Sequence, residues 1–128
     1  MVLFRKIAHE RLKALLLPLG FKKRGDLFHR KVGYDVQGLF FQISQTGHDC
    51  EFYFGILPEY IAVFGMDGIG EHALGWFGKE YEVWEYYNNE ESIHAYLDER
   101  IEKIKKYILP YFENPNKPIG SDDVYPMR

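Results

Sequence analysis

A chain of 128 residues, 46% hydrophobic and 17% aromatic, has the size and apolar content for one folded domain and too much of both for disorder. Its single cysteine, Cys50, excludes an intrachain disulfide and with it a secreted disulfide scaffold. The net charge of −3 conceals a split: residues 1–31 carry nine Lys/Arg against two Asp/Glu, and residues 32–128 carry seven against seventeen.

The N-terminus opens on an apolar Met1–Phe4, but Arg5, Lys6, His9, Glu10 and Arg11 follow at once. No continuous signal-peptide core forms, and no run approaches the roughly 18 apolar residues of a membrane span. The expected location is the cytoplasm. Residues 3–17 read as a helix, because Phe4, Ile7, Ala8, Leu12, Leu15, Leu16 and Leu19 recur at three- and four-residue steps. Pro18 is poorly suited to a helix interior, and Gly20 fits a left-handed exit, with Phe21 placed to fold back on the last turn.

Leu27–Val32 reads as a short strand, Gly33 permits a reversal, and Tyr34–Ser44 reads as a second, longer strand. Alternation puts Leu39, Phe41 and Ile43 on one face and Phe40, Gln42 and Ser44 on the other. Thr46–Asp49 is a turn, and Glu51–Leu57 a third strand with Phe52, Phe54 and Ile56 on one face. In residues 58–79 a strand over Tyr60–Phe64 is followed by a glycine-rich insertion with a short helix near Glu71–Leu74. Tyr81–Tyr87 reads as an acidic, aromatic strand.

Asn88 or Asn89 then caps a second helix, with Glu90 and Glu91 favourable in its first turn. Ile93, Leu97, Ile101, Ile104 and Ile108 form its stripe, and Pro110 is expected to end it near residue 109. The order predicts an α+β domain over residues 1–113. Its antiparallel sheet of four to five strands has an N-terminal and a C-terminal helix packed on one face. Residues 114–128 read as an irregular or docked tail.

Little in the residue pattern points to catalysis. None of the five histidines has metal-site spacing, and alternation lets at most two of His48, Asp49, Cys50 and Glu51 share a strand face. Neither a metal nor a cofactor is expected. Gly65–Gly70 lacks both the dinucleotide spacing and the Gly-Lys-Ser/Thr ending of a nucleotide loop, and Asp67 would repel phosphate. His94 and Asp98, four residues apart, suit a surface pair better than a catalytic dyad.

Three surfaces remain as candidates for binding. Tyr81, Glu82, Trp84, Glu85 and Tyr86 form an acidic aromatic segment suited to a protein contact, since Trp and Tyr are favoured interface anchors. Lys22, Lys23, Arg24, Arg30 and Lys31 concentrate positive charge and suit phosphate. Phe40, Gln42, Ser44 and Tyr53 form a mixed sheet face that would hold a ligand unless the 58–79 insertion covers it, as we expect.

The stretch Leu17-Pro18-Leu19-Gly20-Phe21-Lys22-Lys23-Arg24-Gly25, followed by Phe28-His29-Arg30, resembles the opening of the bacterial domain-of-unknown-function family 4304. Gln42-Ile43-Ser44, Phe54-Gly55-Ile56 and Leu109-Pro110-Tyr111-Phe112-Glu113 extend the resemblance over roughly residues 3–113, with His29 in place of the usual tyrosine. The resemblance implies a bacterial source and an α+β fold, and it carries no catalytic residue. The expected function is a non-enzymatic protein-binding module, comparable to small immunity proteins. The alternatives are nucleic-acid binding through the 22–31 turn and a small-molecule or enzymatic site on the open sheet face.

Overall fold

Helix α1 (Val2–Leu16) buries Phe4, Ile7, Ala8, Leu12 and Leu16, which is the predicted stripe with one change. Leu19 lies 42% exposed because the helix gives way to a 3₁₀ turn over Leu17–Leu19, where the α-helical period no longer holds. Pro18 starts that turn and Gly20 ends it with φ +94°, its N–H donating to the Leu17 carbonyl at 3.0 Å. Phe21 donates its N–H to the Leu16 carbonyl at 3.2 Å, and its ring is buried against Phe112.

The structure is a computed structural model that describes residues 2–43, 50–58, 72–74, 89–116 and 124–126. Within these residues an antiparallel sheet runs in chain order through six strands. They are β1 (Lys22–Arg24), β2 (Leu27–Val32), β3 (Asp35–Ile43), β4 (Cys50–Pro58), β5 (His72–Leu74) and β6 (Val124–Pro126). The three long strands match the alternation in the sequence. Tight turns join β1 to β2 through Gly25-Asp26 and β2 to β3 through Gly33-Tyr34. Gly25 (φ +61°) and Gly33 (φ +64°) supply the positive φ that the first position of a II′ turn demands.

Three short strands, β1, β5 and β6, depart from the sequence reading. The short helix expected near Glu71–Leu74 is replaced by strand β5 over His72–Leu74. A single helical turn nucleates poorly, whereas these residues find ladder partners in β4 on one side and β6 on the other. Three residues of the C-terminal tail form β6, opposite β5. The expected strands at Tyr60–Phe64 and Tyr81–Tyr87 lie outside the described residues.

Helix α2 (Glu90–Lys103) starts at Asn89, whose side-chain oxygen accepts from the Ser92 N–H at 3.0 Å. It continues without a break through a π-helical stretch, Ile104–Ile108, into α3 (Leu109–Glu113). Pro110 therefore does not end the helix as expected. The wide π turn, in which Leu109 donates to the Ile104 carbonyl, puts Pro110 in the first turn of α3, where a missing N–H leaves no bond unmade.

Both helices lie on one face of the sheet. Phe28, Leu39, Phe41, Phe52 and Phe54 from the strands join the stripes of α1 and α2 in one core with Phe21, Tyr96 and Phe112. Phe4 meets Phe41 edge-on at 6.0 Å, and Phe54 meets Tyr111 edge-on at 5.5 Å. No helix among the described residues is long and apolar enough to cross a membrane.

Candidate functional site

The pairing register sorts the basic run between the two faces of the sheet. Lys22 stands opposite His29, Lys23 opposite Phe28, and Arg24 opposite Leu27. Because Phe28 points into the core, alternation puts Lys23 on the helix-covered side at the sheet's edge. Lys22, Arg24, His29 and Lys31 share the other, outer face. All three residues of β1 are exposed, and among the described residues none of them has a carboxylate partner.

Arg30, read from the sequence as part of the same patch, faces the opposite way. Its Nε and Nη2 donate to Gln37 Oε1 at 3.0 and 2.6 Å, and its Nη1 donates to the Leu19 carbonyl at 2.8 Å. The guanidinium lies over the Phe21 ring, 4.5 Å from its centre, and Nη2 is 3.8 Å from Glu113. Gln37 is buried and passes the chain on, its Nε2 donating to the Phe112 carbonyl at 2.9 Å. Arg30 thus joins the 3₁₀ turn, β2, β3 and α3.

Asp26, in the turn between β1 and β2, clamps the hairpin to α1. It accepts from Arg5 Nε at 3.1 and 3.2 Å and from His9 Nε2 at 2.7 Å. Replacing Asp26 by asparagine keeps the shape but removes the charge, and urea unfolding should show a loss of about 1–2 kcal/mol.

His29 is half-buried beside this exposed positive edge. Burial pushes its pKa below the ordinary 6.5, and the Lys22 and Arg24 cations push it further in the same direction. Below pH 6.5 the unfolded chain takes up a proton at this site that the folded chain refuses. Stability therefore falls as pH drops from 6.5 toward the folded-state value and is regained as pH rises. In His29→Gln, unfolding curves at about pH 5.5 and about pH 7.5 should differ less than in the parent chain.

His94, like His9, ties elements together. Arg11 Nη1 donates to His94 Nδ1 at 2.9 Å while its Nη2 donates to Asp98, so Arg11 bridges the His94–Asp98 pair foreseen in the sequence. Accepting at Nδ1 leaves the His94 proton on Nε2, 3.9 Å from Glu90. This bridge pins α1 to α2. An open groove beside it is lined by both signs of charge, Arg11, Lys105 and Lys106 with Asp98 and Glu102, and favours neither sign of ligand.

On the outer sheet face, Tyr53 is buried, with its ring centre 5.2 Å from that of half-buried Phe40, while Gln42 is exposed. Gly38 and Gly55 face each other across β3 and β4 and are themselves buried, so this part of the face is not an open cleft. Ser44 and the acidic aromatic group Tyr81, Glu82, Trp84, Glu85 and Tyr86 lie outside the described residues. The sequence reading left His29 out of the basic patch. It also gave no role to Tyr34, 91% exposed at the β2–β3 turn; register and turn position reveal both, and both need the pairing to be known.

The architecture defines the class: an α+β protein with two helical arms on one face of an antiparallel meander and a basic edge hairpin. The family described as "Domain of unknown function (DUF4304)" matches residues 12–114, and the chain belongs to that family. No curated protein and no solved structure matches it.

Proposed function

We propose that the chain is a cytoplasmic, non-enzymatic module that binds another protein through the exposed face of the β1–β2 hairpin. One observation carries the reading. Arg5, Arg11 and Arg30 each have a carboxylate partner within the fold, whereas exposed Lys22, Lys23 and Arg24 have none among the described residues. Charge left uncompensated on one strand is charge available to a partner. Val32 at the end of β2 and Tyr34 in the β2–β3 turn are exposed beside the hairpin and offer apolar contact area. The use of His9, His94, Asp26 and Asp98 as ties between elements supports binding over catalysis. The comparison with immunity proteins, which act by occupying another protein, is one of fold and size. The bacterial setting follows the resemblance noted above.

Affinity capture from native lysate with the whole chain tests the reading. A protein partner is expected at low salt, weakened as salt rises and lost with K22A/K23A/R24A. Recovery of nucleic acid in place of protein, or of no partner at any salt concentration, contradicts it.

A further inference from the structure

We infer that Lys22, Arg24 and His29 form a carboxylate-recognition site, occupied by an acidic segment of the partner protein, with the His29 imidazole as its proton-dependent contact. The inference rests on the protein-binding reading above and names the site and its ligand. Lys22 and Arg24, two residues apart on one strand, project from the same face at a spacing of roughly 7 Å. An extended acidic segment with carboxylates at every second residue repeats that spacing. His29 sits directly across from Lys22, on the same face.

Among the described residues, the side chains that face His29 include no carboxylate. Lys22 and Arg24 face it from β1, and Lys31 follows two residues along its own strand. From β3 the opposite residue is Gly38, with no side chain, flanked on that face by Val36 and Phe40. Every charged neighbour on this face among the described residues is therefore a cation; burial lowers the pKa of the imidazole, and Lys22 and Arg24 lower it further. A docked carboxylate reverses the balance. It offsets Lys22 and Arg24, and it accepts a charge-assisted hydrogen bond from the protonated ring. Binding and protonation at His29 are then coupled, so the segment binds more tightly as pH falls.

Charge distribution favours an acidic protein segment over nucleic acid. Two cations and one imidazole make a small patch, and residues 32–128 carry seventeen acidic residues against seven basic ones. That excess repels a long polyanion more than a short segment. The cations also keep two copies of this edge strand apart while leaving it open to a segment of opposite sign.

Isothermal titration of the full chain with a short peptide of alternating glutamate and valine, at low salt, tests the site. The parent chain is expected to bind about tenfold more tightly at about pH 5.5 than at about pH 7.5. K22A/R24A should lose binding at both pH values. H29Q should lose the gain on acidification and bind no more tightly at about pH 5.5 than at about pH 7.5. No binding by the parent chain, an undiminished pH dependence in H29Q, or tighter binding of a charge-matched oligothymidylate overturns the inference. In the lysate capture, a partner still retained by K22A/R24A/H29Q removes this site and leaves the protein-binding reading standing. A parent chain that captures no protein removes that reading itself.

Discussion

Replacing Arg30 by alanine should lower the unfolding free energy by about 2–3 kcal/mol, the largest loss expected from any cation in the basic run. The side chain is only 19% exposed and makes three hydrogen bonds, two to the Gln37 amide oxygen and one to the Leu19 carbonyl. Removing it leaves Gln37 Oε1 buried without its donors while Gln37 Nε2 remains bound to the Phe112 carbonyl. The turn after α1 and the end of α3 lose their common anchor, and Phe21 loses the cation stacked on its ring. Lysine at this position should recover little, because a point charge cannot donate along both edges of the guanidinium fork. Arg24→Ala, by contrast, removes an exposed side chain with no ion pair among the described residues and should change stability by no more than about 0.5 kcal/mol. Urea unfolding of the two variants side by side separates a cation that holds the fold from one that does not.

Phe54→Ala should cost more still, about 3–5 kcal/mol. Phe54 is fully buried in the middle of β4, between the sheet and α3. Its ring meets Tyr111 edge-on at 5.5 Å and Phe112 edge-on at 6.3 Å. Truncation removes both contacts and leaves a cavity that α3, tied through Gln37 and Arg30, is poorly free to fill. Leucine should recover part of the loss by restoring volume without the aromatic edges. Phe40→Ala, on the half-buried outer face, should cost less than half as much. Thermal unfolding of the three variants checks the order: Phe54→Ala lowest, then Phe54→Leu, then Phe40→Ala.

The elements that could be read in advance are those whose signal is local. Leu39, Phe41, Phe52 and Phe54 alternate with residues of the opposite face, and their burial follows from that period alone. Asn89 and the two glutamates after it announce the start of α2. Strand β1 has no such signal. Lys22–Arg24 contains no apolar residue, and only pairing with β2 makes it a strand. Strand β5 is three residues long and owes its form to neighbours on both sides. Pro110 misleads because its effect depends on the π turn before it, which no residue in Ile104–Ile108 announces.

The same division runs through the candidate site. Positive charge at residues 22–31 is plain in the sequence, but its allocation is not. A one-residue difference in register would exchange the faces of Lys22 and Lys23, and with them the partner of His29. Arg30 leaves the patch because Gln37 stands across from it and the 3₁₀ turn presents the Leu19 carbonyl. The bridge from Arg11 to His94 and Asp98 spans 83 and 87 residues, beyond any local pattern. The split of charge along the chain is thus partly internal, as in Arg11 with Asp98 and Arg30 with Glu113, and partly left over on β1.

On the proposal made above, one basic run divides its work: Arg30 holds the fold, and Lys22, Arg24 and His29 would meet an acidic partner. Proton NMR titration of the His29 ring, with and without the alternating glutamate–valine peptide, tests it most directly. The expected midpoint lies below 6.5 in the free chain and rises toward or above it when the peptide is bound. A His29 titration curve unchanged by saturating peptide would contradict it.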